Sequence, residues 1–348
     1  YKRQGQAGSL FLFMSAGYVI ALLFAGLVSG RLFHKKTIVL SAIALGITLV
    51  AISFAQDLAQ MRLGFFLLGL AAGVYLPSGI ATLTSMIRPS DWGKGLAIHE
   101  LAPNLAFVAA PMVSETLLLW FSWRAIPAIV GGASACVGLA FAFLAKGGEF
   151  PGKALGVQPS RQLVVKPAFW IMAVLFSCAI CGSLGVFSML PLFLVAEAGM
   201  DRSWANTLVA LSRISGLAMG FVAGWMTDQV GPKRVIKTVL LLTGISTILL
   251  GMVSGPWLVV LVFLQPMLAV CFFPPGFAAL SAIGSAGQRN VAVSLTVPLA
   301  FLIGGGVAPA GIGIMGDAGS FGLGIALSGG FILTGFMVSR YLKVPEKQ

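Results

Sequence analysis

Apolar runs of about 20 to 28 residues, broken by short clusters of charge, Gly or Pro, recur along almost the whole chain. The runs are continuous and do not alternate polar with apolar residues, so they do not read as strands of a membrane barrel. In hydrocarbon each backbone N–H and C=O must be satisfied within its own segment, which leaves α-helices. The rest of the composition agrees: charged residues make up 9% of the 348 residues and hydrophobic residues 58%. A soluble domain carries roughly 25% charged residues, so lipid is the expected solvent for most of this chain.

The runs predict spans near 9–30, 37–55, 60–86, 95–119, 122–145, 168–196, 204–227, 235–254, 256–284, 291–316 and 320–342. The longest polar interruption, 146–167, holds Lys146, Lys153, Arg161 and Lys166 among prolines and glycines and reads as a linker. The expected organisation is an N-terminal half at 1–145, a cytoplasmic linker at 146–167 and a C-terminal half at 168–348. Sixteen Lys and Arg fall in the breaks on one side of these spans and five on the other. Basic residues favour the cytoplasmic side, so the linker and the C-terminus are expected inside the cell membrane, of bacterial inner-membrane type. The same placement accounts for the net charge of +12 without nucleic acid, which is excluded as a partner. All four cysteines lie inside apolar runs, so neither a disulfide framework nor a loop metal site is expected, and the Cys178/Cys181 pair reads as buried packing.

The chain also repeats itself. GLVSGRLFHKKTIVL from Gly26 aligns with GWMTDQVGPKRVIKT from Gly224, an offset of 198 residues, and the Pro77/Pro275 and Pro111/Pro309 pairs keep that offset. Three separated matches in one register imply a duplicated unit of about six helices. Only five are visible in the first half, so a further helix is expected ahead of Tyr1.

These features resemble the major facilitator superfamily. The loop motif GxxxDxxGxK(K/R) of that family stands here as Gly224, Asp228, Gly231, Lys233 and Arg234, and in altered form as Gly26, Gly30, Arg31, Phe33, Lys35 and Lys36. The resemblance implies an all-α membrane protein, a bundle of two pseudo-symmetric six-helix halves with eleven helices present. It also implies secondary or facilitative transport by alternating access, and places the two motif loops on the cytoplasmic side. The motif reads either as a conformational latch or as a topology anchor. In the first copy Gly30 replaces the Asp and Phe33 the Gly. The fourth-helix pattern of the family keeps Gly69, Gly73 and Pro77, with Phe65 where it has Arg. Arg62, a turn further out, reads as an interfacial anchor or as a proton-coupling residue. The exporter signature of the fifth helix is poor, since Ala102-Pro103 and Ala110-Pro111 lack its glycines. Gly304, Gly305, Gly306 and Pro309 are expected to bend helix 11.

Ionisable groups at membrane depth are costly and mark function by default. At 100° per residue, Glu100, Asn104, Pro111 and Glu115 share one narrow face of the 95–119 span, with His99 beside it. His99, Glu100 and Glu115 are candidates for proton coupling, or for pairing with a loop Lys or capping a neighbour. Arg213 lies deep in the 204–227 span and needs a carboxylate, carbonyls or a bound anion. It is read as a substrate anchor or as a structural partner of Glu100 or Glu115. Asn104, Tyr75 and Gln265 complete the candidate substrate-binding set, with Trp170, Phe272 and Phe273 as further cavity-lining residues.

The function expected is therefore transport of a small solute, with an organic anion and proton symport preferred, by a monomer in the bilayer with no cofactor. The competing readings are an efflux carrier of apolar compounds, a receptor that kept the fold, and a membrane-embedded enzyme. The enzyme would need paired ligands, and only His34 and His99 are present.

Overall fold

A computed structural model of the chain describes residues 4–88, 92–152, 157–283 and 289–342; the side chains of 92–97, 100, 101, 104, 157–159, 217, 281 and 289–291 lie outside the description. The helices are α1 (Gln4–Ser53), α2 (Leu58–Gly73), α3 (Tyr75–Met86), α4 (Trp92–Leu118), α5 (Ala125–Leu144), α6 (Val157–Val164), α7 (Pro167–Ile180) and α8 (Val186–Ala196). They continue as α9 (Arg202–Ser212), α10 (Ile214–Val230), α11 (Pro232–Met252), α12 (Pro256–Val270), α13 (Phe273–Ser281), α14 (Arg289–Ala300), α15 (Ala308–Asp317) and α16 (Phe321–Val338). Nine stretches of the described residues are helical, long and apolar enough to cross a membrane, several formed by two consecutive helices joined end to end. The first of them, 50 residues long, turns at Phe33 and so holds two helices, and α4 carries a shorter apolar stretch, Leu105–Leu118. With consecutive helices counted together, the described residues form eleven membrane-type helices, as the apolar runs predict.

The breaks within spans follow the repeat. Val74 ends α2 and begins α3 with Pro77 just beyond it, and Phe272, 198 residues on, stands before α13 with Pro275 in the same place. A proline cannot donate to the helix ladder and its ring crowds the turn before it, so each span bends there. Two other breaks are wider turns of π type, Cys181–Gly185 between α7 and α8 and Phe301–Val307 between α14 and α15. The second contains the three consecutive glycines expected to bend helix 11.

Residues 13–106 and 113–155 form one compact unit. Its helices meet through small residues, since between helices in lipid close backbone approach replaces hydrophobic burial. A Cβ on Gly131 would stand 2.6 Å from the carbonyl oxygen of Gly46, and one on Gly73 2.6 Å from that of Tyr18. Hydroxyls cross the same contacts: Ser41 donates to the Ala71 carbonyl at 2.6 Å and Ser134 to that of Ala42 at 3.0 Å.

Residues 1–12, 107–112 and 156–348 form the other unit. Its core is aromatic and aliphatic, with Phe176 edge-on to Phe272 at 5.1 Å and Met189, Leu190 and Leu194 buried along α8. The two π turns pack on each other: a Cβ on Gly304 would fall 2.5 Å from the backbone nitrogen of Cys181. The first turn of α1 lies on α15, where the amides of Gln4 and Gly5 donate to the Asp317 carboxylate, the latter at 2.8 Å.

Candidate functional site

Arg213 sits at the joint between α9 and α10, the twelfth of the 29 residues of the Arg202–Val230 span. That places it about 17 Å along the helix axis from the start of the span, near its middle. Its guanidinium donates through Nη2 to the carbonyl of Ser183 and lies 3.8 Å from the ring centre of Phe187 and 4.7 Å from that of Phe107. The two rings meet edge to face at 5.3 Å. Nε is buried without a hydrogen-bond partner, and among the described residues no carboxylate lies within salt-bridge distance of this side chain. Aromatic faces thus supply much of the compensation a buried cation needs, by attraction to the ring quadrupoles. Phe107 and Phe187 are not singled out by the sequence reading. A deep arginine with few acidic residues in reach is the signal that points to such rings.

The Ser183 carbonyl is available because the turn is wide. A π turn interrupts the i→i−4 pattern of the helix and can turn carbonyls outward to side chains. The neighbouring carbonyl of Gly182 accepts from Gln265 Nε2 at 2.9 Å, and the same nitrogen lies 3.1 Å from Thr247 Oγ1. Gln265 is only 2% exposed, so its amide ties α12 and α11 to the π turn inside the unit. Phe272 is likewise buried, while Trp170 lies on the surface and donates to the Val164 carbonyl at 2.9 Å.

In the other unit the structure brings together two of the predicted residues. Tyr75 Oη lies 3.1 Å from His99 Nε2, with the rings nearly parallel at 6.0 Å. Tyr75 opens α3 directly after the Val74 break, and Gly79 leaves room for its ring, since a Cβ there would come within 3.0 Å of it. Glu115 is half-buried further along α4. The side chains of Glu100 and Asn104 lie outside the described residues, although α4 is continuous through both positions. Arg62 stands 5.5 Å over the ring of Phe13.

The two motif loops differ. In the second, Gly231 has φ 85° and ψ 151°, which only glycine adopts readily. A Cβ on Gly224 would meet nothing within 4 Å, so close helix approach does not account for glycine there. Lys233 Nζ donates to the Arg340 carbonyl at 3.1 Å, while Arg234 is exposed. In the first loop, where Gly30 stands in place of the Asp, the start of the 146–167 segment lies across the turn. The amides of His34 and Lys35 donate to the carbonyls of Phe150 and Gly148 at 3.2 and 2.9 Å, and the Gly152 amide to that of Ser29 at 3.1 Å. His34 Nδ1 is 3.1 Å from Ser78 Oγ, and its ring meets Phe150 edge-on at 4.7 Å. Lys35 pairs with Glu149 at 3.9 Å, and Arg31 and Lys36 are exposed.

The fold and these sites define a multi-pass integral membrane protein built on a duplicated helical unit. The chain belongs to the Major Facilitator Superfamily, whose family profile matches residues 3–222. It is 27% identical over 205 residues to Protein TsgA of Salmonella paratyphi B and of Salmonella newport, an alignment covering 58% of this chain and 51% of each relative. The chain thus spans about half the length of these curated relatives. Its fold is that of a bacterial homologue of the human lysosomal transporter Spinster. The inward-facing, unoccupied form of that protein superposes with a TM-score of 0.79 at 16% identity, covering 98% of this chain and 90% of the other. The inward-facing, occupied form gives 0.73 at 14% identity, covering 97% and 95%.

Proposed function

We propose that the chain is the transporting body of a secondary carrier for a small organic anion, with Arg213 holding the negative end of the substrate. The observation that carries this reading is a guanidinium at mid-span with an orphaned Nε, aromatic faces on two sides and no described carboxylate beside it. Such a group is favourable when a planar anion takes its free edge in a forked pair. Protons are coupled through His99, held by Tyr75, with Glu100 and Glu115 on the same helix. Asn104 contributes a polar contact, whereas Gln265, buried with its amide taken up by Gly182 and Thr247, holds the π turn instead, and the carrier works by alternating access. The carrier works as a monomer with the 146–167 segment and the C-terminus in the cytoplasm.

A second reading makes Arg213 purely structural, and its bond to the Ser183 carbonyl favours it. One experiment separates the two. Substrate affinity and melting temperature are measured for the full chain, Arg213→Lys and Arg213→Ala, screening carboxylates against sugars and amino acids. The carrier reading expects Lys to weaken anion binding at least tenfold and Ala more, with the bundle still folded. Unchanged anion affinity in a folded Arg213→Ala protein would leave only the structural role.

A further inference from the structure

We propose that the groove between the second limb of α1 and α5 binds an anionic phospholipid, with Lys36 and Lys35 on its phosphate and an acyl chain along its apolar wall. The groove encloses about 800 Å³. Its wall is Phe33, Leu40, Ile43 and Ala142, and its mouth carries Lys35, Lys36 and Glu149. The two helices touch deeper in the bundle, where a Cβ on Gly138 would stand 2.9 Å from that of Ala42, and the groove lies at the lysine end beyond that contact. Phe143 and Leu144 continue the apolar surface along α5 and are 84% and 80% exposed, so the groove opens toward hydrocarbon.

Charge at the mouth selects the headgroup. Glu149 is paired with Lys35 and its own side chain is mostly solvent-exposed, which leaves Lys36 as the cation without an acidic partner among the described residues. The net positive mouth above an apolar wall matches a phosphate ester that carries no cation of its own. Phe33 gives a second, independent pointer. It holds φ 64° and ψ 160°, a backbone region that glycine occupies and that costs about 1–3 kcal/mol for other residues. At the equivalent place in the duplicated loop the chain uses Gly231. Strain of this kind persists where the side chain is needed, and here that ring is part of the groove wall.

The test compares melting temperatures of the purified full chain in detergent with added phosphatidylglycerol, phosphatidylethanolamine, phosphatidylcholine or glycerol phosphate. Phosphatidylglycerol should raise the midpoint more than either zwitterionic lipid, and glycerol phosphate should do nothing. Lys36→Gln should weaken the apparent phosphatidylglycerol affinity about fivefold, a further Lys35→Gln more, and Lys36→Arg should keep it. Leu40→Trp fills the groove without changing charge and should remove the phosphatidylglycerol shift while the lipid-free midpoint holds. Equal shifts from phosphatidylglycerol and phosphatidylcholine, a greater one from phosphatidylethanolamine, a response to glycerol phosphate alone, or full preference in Leu40→Trp would each overturn the site. None of these readouts involves transport or Arg213.

Discussion

Phe33 and Gly231, 198 residues apart, hold nearly the same backbone conformation, φ 64° and ψ 160° against φ 85° and ψ 151°. The duplicated loop therefore keeps its turn where the glycine has been lost, at a local cost that the surrounding contacts sustain. Phe33→Gly should raise the stability of lipid-free protein by about 1 kcal/mol, the relieved strain less the added freedom of the unfolded chain. Gly231→Ala should lower it by about 1–3 kcal/mol. Thermal or denaturant unfolding of both variants checks the pair; a destabilised Phe33→Gly would show that the turn is not strained.

Gln265 gives its amide to two acceptors inside the second unit, the Gly182 carbonyl and Thr247. Replacement by Leu keeps the volume and removes the donor, leaving a buried carbonyl unsatisfied at about 1–3 kcal/mol. The expected result is a lower melting temperature in Gln265→Leu, with Gln265→Met no better. Equal stability to the parent chain would mean that water or a rearranged hydroxyl replaces the amide.

Asp317 receives two amides from the first turn of α1. A carboxylate there satisfies donors that a helix start leaves open and faces the positive end of the helix dipole. Asp317→Ala should cost about 0.5–2 kcal/mol and Asp317→Asn less, because the amide oxygen still accepts. The ranking of the two in melting experiments is the critical observation, and an equal loss for both would assign the effect to charge alone.

Topology is open to direct labelling. Single cysteines at Gln162 and Glu346, in a background without Cys136, Cys178, Cys181 and Cys271, should resist an impermeant thiol reagent in whole cells and react after permeabilisation. Reaction from outside would invert the orientation read from the lysines and arginines.

The spans, the repeat and the bend at the glycine run were legible because each rests on a signal local in sequence: apolar length, a fixed offset, a helix breaker. The depth of Arg213 was legible for the same reason. Its surroundings were not, since they depend on a π turn at Cys181–Gly185 that rotates carbonyls and Phe187 toward it. Nothing in CGSLG announces one extra residue per turn. The strap of residues 147–152 over the first motif loop was hidden differently. Two glycines at positive φ and a proline read as plain linker, whereas their backbone hydrogen bonds reach residues more than a hundred positions away.

A π turn holds one residue more than the α turn it replaces. Deleting a single residue from 181–185 can therefore restore a regular helix while both flanking segments stay anchored. The carbonyls that now bind Gln265 and Arg213 would then return to the ladder of their own helix. Chain length at this point, rather than the identity of any one side chain, decides whether two carbonyls of this turn serve side chains of other helices or close on their own.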